Sequence, residues 1–249
     1  RSWFLSPGDT GSVRAPALVV LVSAFALVVG TPLASSAREG ARTDARKDPQ
    51  WTTEGDPRAC SGPIWPRETN TTAGPGAGRR VLVIGDSLTR NARSPLTRKL
   101  RKSGWTPTVR CFGGKRLDWA IAQAKRAQEI DQLPDTVVIA VGTNDMRWID
   151  RGTTKARMRQ LLDVLGEKRT VLWVDTYASG GDRFTRSKEK WFNRQVKRLA
   201  RANDNVFRVV WGPYARKQGV RFADALHYDT AGERAWADRV VQVLNSRAG

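Results

Sequence analysis

Acidic side chains are scarce in this chain: 24 Asp and Glu stand against 43 Lys and Arg, a formal net charge of +19 over 249 residues. Such an imbalance points to a partner of negative charge, namely an anionic envelope polymer, a membrane surface or nucleic acid. It does not bear on fold. Histidine occurs once, at His227, and cysteine twice, at Cys60 and Cys111. Three such residues far apart do not make a metal site, so no metal and no other cofactor is expected. Zinc-finger spacing, a basic region with heptads and an aromatic RNA-binding consensus are all missing, which argues against a nucleic-acid reader. The arginines are scattered singly, as on a solvated surface. No internal repeat is visible.

Only one long apolar run is present. Ala15 to Ala37 carries no charge and Ala17 to Val29 within it is almost entirely apolar; Arg14 precedes the stretch and the small residues Ala34-Ser35-Ser36-Ala37 close it. Residues 1–37 therefore read as a secretory signal peptide with a cleavage site near Ala37, or as a retained membrane anchor. Either reading implies a secreted or otherwise extracytoplasmic protein, with membrane contact only through this segment. Residues 38–78 are rich in Pro, Gly, Thr and charge and lack periodicity, as a linker does. Ile64 and Trp65 are its only candidates for docking. An even cysteine count outside the cytoplasm favours a disulfide, and a Cys60–Cys111 bridge would pin the linker's end to the folded body.

That body spans 79–249, one domain in which strand-like and helix-like segments alternate. Val81–Ile84 is wholly apolar and largely β-branched, the mark of a strand buried on both faces. Further strands are expected at Thr106–Cys111, Thr136–Val141, Thr170–Asp175 and Asn205–Val210. Helices are expected at Pro95–Ser103 (with Ser94 as its cap), Leu117–Ile130, Thr154–Leu165 and Ser187–Ala202. A last one runs from a Thr230-Ala-Gly-Glu233 capping box to Asn245. Five strands separated by helices with short connections imply a parallel sheet covered on both faces.

In such a sheet ligands bind where loops leave the carboxyl ends of strands. The first of these loops holds Gly85-Asp86-Ser87-Leu88, the second Gly113-Gly114, the third Gly142-Thr143-Asn144-Asp145. Asp224-Ala225-Leu226-His227 lies ahead of the last helix. Ester hydrolysis by serine needs a nucleophile, an imidazole base within hydrogen-bond reach and a carboxylate to orient that base. It also needs donors for the oxyanion. Ser87, His227 and Asp224 supply the first three. The backbone N–H groups of Ser87 and Gly114 and the Asn144 amide are candidates for the fourth. Each residue alone has an ordinary structural use, as a turn former, a cap or a packing histidine; what matters is all of them together in this order.

These four blocks, in this order and spacing across essentially all of 79–249, resemble those of the SGNH (GDSL-type) hydrolases. The resemblance implies a flavodoxin-like three-layer α/β/α sandwich with a five-stranded parallel sheet. It also marks Ser87, Gly114, Asn144 and His227 as the residues from which that family is named. The Gly-x-Ser-x-Gly elbow of the α/β-hydrolases is absent. Family members act on carboxylic esters as esterases, lipases, thioesterases and carbohydrate deacetylases, and related domains are O-acyltransferases of envelope polysaccharides. The expectation is an exported serine esterase acting through an acyl-enzyme on an acylated carbohydrate, a lipid or a small ester. O-acyl transfer and a non-catalytic envelope-binding module are the alternatives. Trp119, Met146 and Trp148, which follow the second and third loops, are candidates for a substrate surface.

Overall fold

The computed structural model describes Cys60 and residues 74–178 and 183–247. The amino-terminal segment 1–37, with its apolar stretch, and most of 38–78, Ile64 and Trp65 included, lie outside the described residues. The five strands are β1 (Arg80–Gly85), β2 (Thr106–Cys111), β3 (Thr136–Ala140), β4 (Thr170–Val174) and β5 (Val206–Val209). They form one parallel sheet in the order β2-β1-β3-β4-β5. The helices are α1 (Ser87–Asn91), α2 (Arg93–Lys102), α3 (Leu117–Glu129), α4 (Thr143–Trp148), α5 (Arg151–Leu165), α6 (Arg183–Ala202), α7 (Gly212–Lys217) and α8 (Thr230–Asn245).

Side chains alternate across a strand, so each strand feeds two cores. Leu82, Ile84, Val137, Ile139, Val171 and Trp173 point to one face, where they meet Ile121 and Ala124 of α3, Met158 and Leu161 of α5, and Phe192 and Val196 of α6. Val81, Val83, Val138, Leu172, Val174 and Val209 point to the other, against Leu96 and Leu100 of α2 and Trp236, Val240 and Leu244 of α8. This is the expected three-layer sandwich; the central strands β1, β3 and β4 are apolar after their first residue because neither face meets water, while the edge strands β2 and β5 carry Arg110 and Arg208. Cys60 and Cys111 form the expected disulfide, with Cα atoms 5.2 Å apart, and the Cys60 N–H also donates to the Cys111 carbonyl at 2.9 Å. Residues 74–78 turn back on the body, the Gly76 N–H donating to the Ser103 carbonyl at 2.8 Å. No helix among the described residues is long and apolar enough to cross a membrane.

Helix boundaries differ from expectation at several points. The chain does not wait until Ser94 to become helical. It does so at Ser87, because Asp86 caps the turn and accepts from the Leu88 N–H at 3.0 Å. Pro95 falls within the first turn of α2, where its missing N–H costs nothing. Helix α5 starts at Arg151, capped by Asp150, which accepts from the Thr153 N–H at 2.8 Å. The cap of α8 is Asp229, accepting from Gly232 at 2.7 Å, in place of the expected Thr230–Glu233 box. Asp is a better cap than Thr, and Asp229 stands one residue earlier, so Thr230 becomes the first residue of the helix. The short helices α4 and α7 had no periodic signal, since six residues cannot establish one.

Gly142 opens α4 with φ +136°, and a Cβ there would overlap the ring of buried Phe192. Gly142→Ala is expected to cost about 2–4 kcal/mol through backbone strain and overpacking combined. Denaturant midpoints would check this; a change below about 0.5 kcal/mol would contradict it.

Candidate active site

Register brings three loops side by side. Gly85, the last residue of β1, pairs with Cys111 of β2 on one side and Ala140 of β3 on the other. The loops holding Ser87, Gly114 and Asn144 therefore leave adjacent strands at the same height. Space above β1 is tight, since a Cβ on Gly85 would collide with the Thr89 side chain, so α1 begins at once.

The fourth element arrives from the far end of the chain. Phe222 and Tyr228 form an antiparallel bridge, and the Ala223 N–H donates to the His227 carbonyl at 2.8 Å. Between them the Asp224 Oδ1 accepts from the backbone N–H groups of Leu226 and His227, at 2.7 Å each. This local wrap turns Asp224 and His227 toward each other. The imidazole Nδ1 lies 2.7 Å from Asp224 Oδ2, and its Nε2 lies 2.9 Å from the Oγ of Ser87, 140 residues earlier. With a neutral ring, an Nδ1–H donating to Asp224 leaves Nε2 to accept the serine hydroxyl proton. The hydrogen bonds from the His227 backbone, its ring and the Leu226 backbone hold Asp224 well below the usual carboxylate range, at about 2. It is ionised at any pH near neutrality. Tyr228 anchors the loop from beneath: its hydroxyl accepts from Trp211 Nε1 at 2.7 Å and donates to the Tyr177 carbonyl at 2.9 Å.

Helix α4 and the loop after β2 are bolted together. The Asn144 Nδ2 donates to the Lys115 carbonyl at 3.0 Å, which leaves a second hydrogen on that nitrogen for another acceptor. Both Asp145 oxygens accept from the Leu117 N–H at 3.1 Å. Gly114, with φ +77°, lies between these ties and the end of β2. Ser87 and Asn144 are each 8% exposed, enough for an approaching ligand to touch while water is largely excluded.

Two positions escaped the sequence reading. Asp86 and Asp145 are buried carboxylates, at 1% and 0% exposure. Burial pushes Asp86 up to about 7 and Asp145 to about 6, and each capping N–H works in the opposite direction. The Asp86 Oδ2 is buried with no hydrogen-bond partner among the described residues. Nothing in the sequence marks them as more than turn formers, because burial is a tertiary fact. The sign of their effect on stability follows from linkage. A carboxyl whose folded pKa is raised binds more protons folded than unfolded. Its contribution is therefore fullest below the unfolded value near 4 and is lost as pH rises through 6 to 7. Asp86→Asn retains the capping oxygen and removes the titration. Its melting temperature relative to the parent is expected to rise from pH 5 to about pH 7 and to level off above that, and parallel curves would refute the assignment.

The three candidates for a substrate surface part company. Trp119 is half-buried and shares a depression of about 530 Å³ with Gly113, Gly114 and Lys115. Trp148 is 69% exposed, the one large apolar side chain so exposed among the described residues, with Arg147 5.5 Å from its ring. Met146 is no surface residue: at 2% exposure it belongs to the core, where its sulfur accepts from Thr176 Oγ1 at 3.6 Å. It is turned inward because α4 packs against α6 and α5, and Met146 fills the core beneath them. No cluster of three metal-ligating side chains occurs among the described residues.

Residues 71–235 match the model of the GDSL-like lipase/acylhydrolase family. No curated protein matches the chain. Among solved structures, the catalytic domain of Streptococcus pneumoniae peptidoglycan O-acetyltransferase A, determined with a methylsulfonyl adduct, is similar with a TM-score of 0.60 and 19% identity, covering 69% of this chain and 95% of that one. A lipolytic protein of the G-D-S-L family from Veillonella parvula has a TM-score of 0.57 and 17% identity, covering 66% and 97%. An acetylxylan esterase from Geobacillus stearothermophilus has a TM-score of 0.51 and 19% identity, covering 67% and 94%. Two further structures of that esterase are catalytic mutants, one at a histidine and one at an aspartate three positions earlier.

Proposed function

The chain belongs to the GDSL-like lipase/acylhydrolase family, and from that premise we propose that it is a serine esterase whose nucleophile is Ser87, with His227 as base and Asp224 as its orienting carboxylate. The observation that carries the reading is the unbroken hydrogen-bonded line from Asp224 through His227 to Ser87. An aspartate and a histidine at the same spacing are sites of catalytic mutants in the acetylxylan esterase, which agrees with it.

The Ser87 hydroxyl gives its proton to His227 Nε2 as Oγ attacks the ester carbonyl carbon. The carbonyl π pair moves onto oxygen, and the Ser87 and Gly114 N–H groups and the remaining Asn144 Nδ2–H receive that charge. Asp224 stabilises the imidazolium. Collapse expels the alkoxide, which takes the proton from His227 and leaves acyl-Ser87. Water then attacks the acyl carbon, giving its proton to His227; the acid departs and the proton returns to Ser87. When a sugar hydroxyl replaces that water the same intermediate performs O-acyl transfer. That second reading is favoured by the likeness to the O-acetyltransferase domain. The proposed substrate is an O-acylated carbohydrate or another small acyl ester, and the proposed setting is outside the cytoplasm, consistent with the apolar segment 15–37.

The test is release of p-nitrophenol from acetate and longer-chain esters, followed with and without phenylmethylsulfonyl fluoride. Turnover, loss of turnover on sulfonylation and a single modified peptide containing Ser87 are expected. A fully folded sample that neither turns over esters nor becomes labelled would overturn the reading. Detection of the protein in the cytosolic fraction alone would overturn the proposed setting.

A further inference from the structure

A second concavity of about 660 Å³ lies at the carboxyl ends of β4 and β5, apart from the depression beside Gly114. That volume is in the range of ordinary ligand sites. Its walls come from Asp175 and Tyr177 after β4, Arg208 on β5, one face of α6 and the start of α7. Along α6 the cations Arg186, Lys190, Arg194 and Lys197 recur at intervals of four, four and three, so they share one face and all line the cleft. Phe192 and Val196 on the opposite face are in the core. Arg216 adds a further cation from α7.

Two carboxylates lie among these cations, and both are committed. Asp175 is held in a forked pair by Arg208, with both contacts at 2.7 Å. Glu189 accepts from the Ala178 N–H at 3.0 Å and is largely buried. Lys190, Arg194 and Lys197 form no ion pair among the described residues. Like charges one turn apart on a helix repel each other, and a concave wall concentrates their potential where a convex solvated face would disperse it. An arrangement of this kind is relieved by an anion.

We propose that this cleft binds the carboxylate or phosphate groups of an acidic polysaccharide and holds the chain so that an ester-bearing sugar reaches Ser87. The proposal rests on the esterase reading for its second half. The two places are joined through one tyrosine pair: Tyr177 lines the cleft, its carbonyl accepts from the Tyr228 hydroxyl, and Tyr228 follows His227. One hydrogen bond thus ties the wall of the cleft to the segment that carries the base. The lining favours a glycan over a nucleic acid. Tyr177 is its one aromatic residue, and the Arg216 guanidinium lies over that ring at 5.2 Å, so the lining offers no row of aromatic faces on which successive bases could stack.

The experiment is equilibrium binding of the full chain to polygalacturonate and to a sugar-phosphate polymer, with neutral dextran as reference, at low salt and at about 150 mM salt. Two variants with equal charge loss are compared. One is Lys190→Gln/Arg194→Gln/Lys197→Gln in the cleft; the other is Arg98→Gln/Arg101→Gln/Lys102→Gln on exposed positions of α2. The cleft variant is expected to bind roughly tenfold more weakly, the α2 variant less than about threefold. The polymer that binds more tightly identifies the anionic group. Equal weakening in both variants would reduce the effect to net charge and overturn the proposal, as would absence of binding to either polymer. Tighter binding of oligothymidylate, lost in the cleft variant, would replace the glycan with a nucleic acid. Binding is read without turnover, so failure here leaves the esterase reading standing, and failure of ester turnover leaves the cleft result standing.

Discussion

Replacing Ser87 with alanine is expected to lower ester turnover by at least about 10⁴-fold, because the acyl-enzyme route has no other nucleophile in line with His227. The hydroxyl sits 2.9 Å from the imidazole Nε2, and that is the only side-chain hydrogen bond it makes among the described residues. Its removal deletes one atom and one hydrogen bond near the surface, so stability should change by no more than about 1 kcal/mol. Unaltered circular dichroism and a similar melting temperature, with turnover reduced to the background rate, is the expected pair of results. Activity within tenfold of the parent would show that another group attacks the ester.

The second large effect is expected at Asn144. Asn144→Ala should lower kcat by about 10²–10³-fold with little change in KM, because an oxyanion donor acts on charge that exists only in the transition state. The same side chain also ties α4 to the Lys115 carbonyl at 3.0 Å, so a purely positional role is the competing account. The two accounts differ in what they move. A raised KM with unchanged kcat would mean that Asn144 holds the loop after β2 and donates nothing to the oxyanion. The neighbouring tie from Asp145 to the Leu117 N–H survives the substitution and keeps the loop near its place.

Much of the architecture was legible because it follows from local rules. Val81–Ile84 and Thr136–Ala140 are β-branched and apolar, and such runs are buried strands under almost any tertiary arrangement. The helices were found where apolar residues recur at helical spacing, as in Leu117–Glu129. Their first turns were found less well, since Asp86, Asp150 and Asp229 each claimed a cap that propensity alone did not assign. The short helices α4 and α7 and the inward turn of Met146 share one reason for being illegible: packing against neighbouring helices, and not periodicity, decides them. The Cys60–Cys111 pairing was legible from a count of two. The cationic face of α6 was present in the sequence as four residues at helical spacing, but a helix face and the wall of a cleft have the same spacing.

The sequence by itself determined the layer order, the strands and the chemical inventory: one histidine, one serine at the end of the first strand, one Asp-x-x-His ahead of the last helix. Those are properties of residue type and near neighbours, which a linear chain carries explicitly. Only the tertiary structure decided that Ser87 Oγ meets a ring 140 positions away, that Asp86 and Asp145 are sealed from water, and that the cations of α6 enclose a volume. Distance, burial and concavity are set by how the sheet's register and the helices on its two faces bring remote segments together, and no single stretch of the chain holds that information.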